Sequence, residues 1–475
     1  MQGSQILEKD FYKNTTDYAS QWEQLKNESP GLQKILKDIE TPGHAIVFGH
    51  DDPDGITSGL ILYRMLLKKG WKAVLINPEQ FNLSQAQLDE ALKNNPGATA
   101  LFIADKGTSA AYDELKTNLP VYLVDHHPTP KVPEKCTWFN PAAHAYIQCS
   151  GSILAHGISF LAGTRDEYDD FLCLVGLKGD WAIEPVTGHA AEFTKPFLAK
   201  YGLHFSNMLK NLNERPTMFD STQREKTCLL SRVAEYVHAC GGGGFSYFYH
   251  DREEALKNVN HAKTVADALL AIENKAEQLK KIATLNEFTA LLPEKEGKLL
   301  EKIWGWFLKD WDTANKLMDS SALSLRLHDT DIFLFTGPKV PLLPMIGSIK
   351  LAELKTEYNS PQAQIIMVSR VDKNYTHVSV RATGINVHSG KFCGYLQDSS
   401  REKYPQHKDA ISGGGHPVAA ECTFRTPEIP FLTVLSRVTN QLCEMNRLDN
   451  LAKKTALTAE QKETAAKLGL DYLKN

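Results

Sequence analysis

Long apolar runs are missing from this sequence, and no stretch approaches the roughly 18 residues that a membrane-crossing helix needs. Met1-Gln2-Gly3-Ser4 opens it without a basic segment leading into an apolar one, so no signal peptide is expected. The eight cysteines (136, 149, 173, 228, 240, 393, 422 and 443) form no Cys-x-x-Cys pair. That scatter suits small core residues in a reducing compartment, not a zinc site or a disulfide frame. Excess positive charge is lacking too: the net charge is −4 and the pI near 6.5. A globally basic nucleic-acid coat is thereby excluded, but a locally basic groove is not. The expectation is a soluble, cytoplasmic protein with no membrane partner. Its 475 residues exceed what a single core fills, so more than one domain is expected.

What is present begins with a rhythm. From about 44 to 182, short apolar runs alternate with helix-like segments that start near Ile56, Ser84 and Ser109. The runs are Ala45–Phe48, Ala73–Ile76, Thr99–Ala104 and Val121–Val124. Such alternation predicts βαβ units around a parallel sheet, an α/β fold. Ligands bind such sheets beyond the carboxyl ends of the strands.

Those ends are chemically loaded. The first run leads into Gly49-His50-Asp51-Asp52-Pro53-Asp54-Gly55. In an extended segment His50, Asp52 and Asp54 share one face, and an imidazole with two carboxylates suits Mn²⁺ or Mg²⁺. Asp51 falls off that face. The plainer reading has Asp54 capping the following helix beside solvated turn residues. Thr99–Ala104 ends in Asp105, and Val121–Val124 ends in Asp125-His126-His127. Asp180 follows the apolar helical stretch Phe171–Leu177. Each alone reads as a cap or turn residue, but together they place ligand-type side chains at the same end of three strands.

Helical periodicity dominates from about 195 to 325, interrupted by Gly241–Gly244, which reads as a connection because no Lys-Ser/Thr follows it. Trp304, Leu308 and Trp311 share a helix face that reads as core. Lys195, Lys200, Lys210, Arg215, Arg224 and Lys226 either line a channel or form a solvated face. Strands return at Asp331–Phe335, Gln364–Ser369 and Thr376–Ala382, and then comes Ser412-Gly413-Gly414-Gly415-His416. Three glycines let backbone N–H groups approach an anion, with His416 and Arg381 beside them; equally, the glycines satisfy loop geometry alone. A final helical region spans Phe431–Leu451, and Thr458–Gln461 fits a capping box. It either packs on the body or docks a partner.

The ordered set His50-x-Asp52-x-Asp54, Asp105, Asp125-His126-His127, Asp180 and Gly413-Gly414-Gly415-His416 resembles the DHH phosphoesterase superfamily, above all its RecJ-like exonuclease branch. The resemblance implies a parallel-sheet catalytic domain (41–194), a smaller C-terminal α/β substrate-binding domain (329–447), and an active site in the cleft between them. The N-terminal helical segment (1–40), the helical insertion (195–328) and the helical tail (448–475) carry no such match and rest on helical periodicity alone. By the same resemblance His50, Asp52, Asp54, Asp105, His126 and Asp180 hold two Mn²⁺ ions, Mg²⁺ being an alternative, with Asp105 bridging. His127 contacts the scissile phosphate or stabilises the leaving oxygen, and Asp125 orients a histidine of its own motif. Arg381, Gly413, Gly414, Gly415 and His416 bind substrate phosphate. One departure is Glu421, where many relatives carry glycine, and no additional oligonucleotide-binding barrel is evident.

The implied activity is metal-dependent phosphodiester hydrolysis, foremost as an exonuclease on single-stranded DNA or RNA with replication or repair proteins as partners. Two alternatives stand beside it: hydrolysis of short oligonucleotides or cyclic dinucleotides, and a non-catalytic replication or repair scaffold. The intact set of acids and histidines weighs against the scaffold.

Overall fold

The computed structural model describes residues 17–78, 83–129, 131–144, 147–220, 226–242, 249, 252–320, 323–337, 343–372 and 375–473. The first 16 residues of the expected N-terminal helical segment, Arg224, and Gly243 and Gly244 lie outside the described residues. Two compact units divide the chain, Met1–Trp304 and Gly305–Asn475.

The first unit opens with helices α1 (Tyr18–Glu28) and α2 (Pro30–Asp38). Next come β1 (His44–Phe48), α3 (Pro53–Lys68), β2 (Lys72–Ile76), α4 (Gln85–Asn94), β3 (Ala100–Ala104), β4 (Val121–Val124) and β5 (Thr137–Phe139). The five strands form one sheet in the order β2-β1-β3-β4-β5, and every neighbouring pair is parallel. β1, β3 and β4 are buried along their whole length, as strands covered on both faces must be. One face packs Ile46, Phe48, Leu101, Ile103 and Leu123 against Leu88 and Ala91 of α4. β5 was not expected, because a three-residue edge strand carries too little pattern to read.

Helices α5 (Gly151–Leu161) and α6 (Glu167–Gly179) pack with α3. Arg64 fastens that packing: its guanidinium donates to Glu273 Oε2 (2.9 Å), to Asp166 Oδ2 (2.8 Å) and to Asp169. Two short antiparallel pairs follow, β6 (Ile183–Glu184) with β7 (His189–Ala190) and, after α7 (Lys195–Lys200), β8 (Asn211–Leu212) with β9 (Thr227–Cys228). The rest of this stretch is helical: α8 (Leu229–Gly241), α9 (His261–Leu270), α10 (Ala276–Leu279), α11 (Leu285–Thr289) and α12 (Glu294–Ser320). Within α12 the buried side chains include Ile303, Phe307 and Trp311, while Trp304 and Leu308 are only half-buried. Of the expected apolar face Trp311 is buried, while Ile303 and Phe307 take the places expected for Trp304 and Leu308. Among the basic residues, Lys195 pairs with Glu192 and Arg215 with Glu235, which favours local ion pairing over a lined channel.

The second unit is built on β10 (Leu323–Leu327), β11 (Thr330–Gly337), α13 (Leu343–Glu357), β12 (Gln362–Asp372), β13 (Tyr375–Ala382), α14 (Ser389–Lys403), β14 (Ile411–Gly415) and β15 (Ala419–Phe424). The strand order is β10-β11-β12-β13-β15-β14, with β11 and β12 parallel and the other pairs antiparallel. Gly413–Gly415, expected as a loop, is an edge strand: Gly414 pairs with Glu421 and Gly415 with Ala420. Gly415, at φ +135°, must be glycine, since a Cβ would sit 2.7 Å from Ala419 O and from Ala420 Cα. Helices α15 (Phe431–Ala452) and α16 (Ala459–Leu468) close the chain, α16 behind the expected capping box of Thr458 and Gln461. Ala465, Leu468 and Leu470 join the core of this unit, so the tail packs on its own unit.

Candidate metal centre

His50 and Asp52 lie in the turn that joins β1 to α3. Asp52 is the N-cap of α3, its carboxylate accepting Gly55 N–H at 2.7 Å, and Pro53 takes the first helical position. Asp54 therefore sits in the first helical turn, not in an extended segment, and Asp52 rather than Asp54 does the capping. Convergence survives because the turn is tight: a Cβ on Gly55 would fall 2.1 Å from His50 Cβ. Asp54, fully buried, is held by the start of α5, where Ser152 N–H donates at 2.8 Å and Gly151 N–H also donates. Positive helix N-termini favour such a carboxylate.

Asp105 follows β3 with φ +55°, a left-handed conformation that aspartate tolerates better than most residues. His126 Nε2 lies 3.1 Å from Asp105 Oδ1, 2.9 Å from Asp180 Oδ2 and 3.8 Å from Asp54 Oδ2. His50 Nδ1 lies 3.1 Å from Asp52 Oδ2 and 3.9 Å from Asp105 Oδ2. Three groups of donor atoms result: His50/Asp52/Asp105, Asp54/His126/Asp180 and Asp105/His126/His127, each with its atoms within 4.8 Å of one another. Asp105 belongs to two of them, one on either side of it.

The donor set fits a hard divalent cation, being rich in carboxylate oxygen with imidazole. His126 Nε2, Asp105 Oδ1 and Asp180 Oδ2 are buried and face one another, yet none makes an aligned hydrogen bond. Buried polar atoms are ordinarily satisfied, so three that converge without bonding suit a shared ligand.

Ionisation reports the same crowding. Burial, and then the Asp180 carboxylate, pushes Asp54 up to about 7. Burial together with Asp54 and Asp52 raises Asp105 well above the carboxylate range. Asp52 goes the other way: burial would raise it, but the His50 imidazole more than offsets that. His126 is raised despite its burial, through Asp180 and Asp105.

Two of the supporting residues, Asp51 and Lys106, were not legible as such in the sequence. Asp51 is completely buried with Oδ1 3.0 Å from His50 Nε2, so it fixes the ring and leaves Nδ1 toward Asp52 and Asp105. Lys106 is buried beside these acids, and desolvation brings its amine down to about 8. Asp125 orients His127, with Oδ1 2.8 Å from its Nδ1, and is itself held by Gly107 N–H, the Thr108 hydroxyl and the Asn140 amide. Asp125 thus bonds the second histidine of its motif, consistent with an orienting role.

The residues expected to bind substrate lie in the second unit. Arg381 Nη2 donates to Glu421 Oε1 at 3.2 Å, and Glu421 Oε2 lies 2.9 Å from His377 Nε2. Arg381, His377, Glu421 and Gly414 share one face of the sheet by strand register. Gly413 N–H is taken by Gln397 Oε1 at 2.7 Å, and a Cβ on Gly414 would meet nothing within 4 Å. His416 is exposed.

Residues 44–172 match the model of the DHH family, N-terminal domain, so this stretch of the chain is similar to that domain. An uncharacterized protein of Methanocaldococcus jannaschii is 30% identical over 170 residues, 33% of this chain and 38% of that relative. The match therefore spans well under half of the relative's length. The solved DHH domain of a member of the s1p family of ribosomal proteins aligns with a TM-score of 0.55 and 16% identity, over 88% of this chain and 91% of its own. Exonuclease RecJ bound to manganese aligns with a TM-score of 0.48 and 17% identity, over 86% and 94%. Among the described residues, no helix is long and apolar enough to cross a membrane.

Proposed function

We propose that this protein is a Mn²⁺- or Mg²⁺-dependent phosphodiesterase that removes nucleotides from single-stranded nucleic acid. The observation that carries the reading is the pair of donor groups flanking Asp105, with His50 and Asp52 on one side and His126, joined by Asp54 and Asp180, on the other. Two divalent cations held there would supply charge compensation for a phosphate and activation of a water molecule. His50, Asp52, Asp54, Asp105, His126 and Asp180 are the ligands in this reading, and Asp105 is common to both positions.

The chain's own groups do the rest. Asp51 fixes the His50 ring from behind. Asp125 holds His127 Nδ1, so that the opposite edge of that half-exposed imidazole is presented to a phosphodiester and can carry a proton to the leaving oxygen. Arg381 supplies a planar pair of donors for phosphate, with the open backbone at Gly414, its neighbours Gly413 and Gly415, and the exposed His416 completing the set in this reading.

The test is digestion of end-labelled single-stranded DNA and RNA with Mn²⁺. The expected result is a ladder of shortened products that a chelator abolishes and Asp105→Ala eliminates. No cleavage of either strand by the folded protein would sink the proposal.

A further inference from the structure

Trp181, immediately after Asp180, takes no part in the ligand set. Among the described residues it is one of the few large apolar side chains left exposed, at 43%, and its backbone is left-handed with φ +52°. A bulky residue rarely adopts that conformation, and such strain persists only where the surroundings enforce it. Gln148 Nε2 donates to Trp181 O at 2.8 Å, and Trp181 N–H donates to Lys178 O at 3.2 Å. The chain is thus braced in a form that keeps an indole in solvent beside the acids.

The indole also begins a row of rings. Its centroid lies 5.2 Å from that of the buried Phe219, tilted at 55°, and Phe219 meets the His238 ring at 5.7 Å and 89°. His238 is on α8, one turn before Gly241, where a Cβ would sit 3.1 Å from Asp51 O. The row therefore runs from solvent toward the turn that carries His50 and Asp52. His238 is 3% exposed, and neither ring nitrogen has a hydrogen-bond partner. Of the three rings only the indole of Trp181 is exposed, and the buried Phe219 and His238 rings back it, so it presents a braced flat face to a heterocycle joined to a phosphate.

We propose that Trp181, backed by Phe219 and His238, is a nucleobase-stacking subsite that seats the base next to the reacting phosphate. The proposal rests on the phosphodiesterase reading for its substrate class, but its test reads binding and needs no turnover. Stacking of a base on an aromatic side chain contributes roughly 1–3 kcal/mol, or about 5- to 150-fold in affinity.

The experiment titrates AMP and ribose 5-phosphate into the Mn²⁺-loaded protein by calorimetry, for wild type, Trp181→Ala and Trp181→Phe. The expected result is tighter binding of AMP than of ribose 5-phosphate by wild type, within that range. Trp181→Ala should remove the difference while leaving ribose 5-phosphate affinity unchanged, and Trp181→Phe should restore most of it. The proposal is overturned if wild type does not prefer AMP, or if Trp181→Ala weakens both ligands equally, as a merely structural residue would. Loss of strand cleavage with the base preference intact would count against the phosphodiesterase reading and leave the subsite standing.

Discussion

In the N-terminal unit, the carboxylates of Asp52, Asp54, Asp105 and Asp180 converge on two imidazoles, and burial drives Asp54 and Asp105 toward protonation. In the C-terminal unit, a single carboxylate, Glu421, sits between Arg381 and His377 and is held below its ordinary range, because these two partners outweigh its burial. The first crowds carboxylates together, and the second already holds its own ion pair. In the proposed function cations would relieve the first, whereas an anion would have to displace Glu421 to enter the second. Their responses to substitution should therefore differ in sign as well as in size.

The largest effect is expected at Asp105. Asp105→Ala removes the side chain common to both donor groups and should abolish Mn²⁺-dependent cleavage, read by product ladders, while circular dichroism stays native. Persisting activity would dissolve the contrast at its root. Next comes Asp51→Asn, which keeps shape but withdraws the carboxylate behind His50. Loss of such a partner weakens metal affinity about 10- to 100-fold, a change that Mn²⁺ titration would detect.

The C-terminal site supplies the opposite sign. Arg381→Ala should raise KM for an oligonucleotide by about 10-fold or more, since hydrogen bonds to charged groups contribute roughly 1.5–3 kcal/mol. Glu421→Gln should lower KM severalfold by releasing the guanidinium, and the gain should vanish when Arg381 is already alanine. Equal losses in both single variants would mean that Glu421 only braces the strand.

The smallest effect is on stability against pH. In metal-free protein Asp54 ionises near 7, whereas in the unfolded chain it ionises near 3.8. Between those values the native state holds more protons than the unfolded one, so stability falls as pH rises. Bound Mn²⁺ favours the deprotonated ligands, so the rise in Tm that it causes should be larger at pH 8 than at pH 6. Thermal scans at the two pH values, with and without metal, check both signs.

The same contrast governs how much was legible in the sequence. β1, β3 and β4 and the acids at their ends were readable because buried parallel strands are continuous apolar runs, and a parallel sheet places all their carboxyl ends together. What holds those acids was not readable. Gly151 and Ser152 reach Asp54 from about a hundred residues away, and Asn140 reaches Asp125 from a loop with no pattern. Asp51 seemed misplaced because alternation was assumed through a turn that in fact enters a helix at Pro53. Gly413–Gly415 read as a loop because glycine disfavours strands, and only its register with β15 makes it one. Glu421 stood out as a departure, but its ion pair depends on a neighbouring strand. Nothing in a single letter reports the left-handed backbone of Trp181.

The central claim is that Asp105 stands between two cation positions. Crystals grown with Mn²⁺ and measured at its absorption edge test it most directly. The account predicts two anomalous peaks per chain, one beside His50 and Asp52 and one beside His126, Asp54 and Asp180, both touching Asp105. No peak at Asp105 in the folded protein, or peaks only elsewhere on the chain, would contradict it.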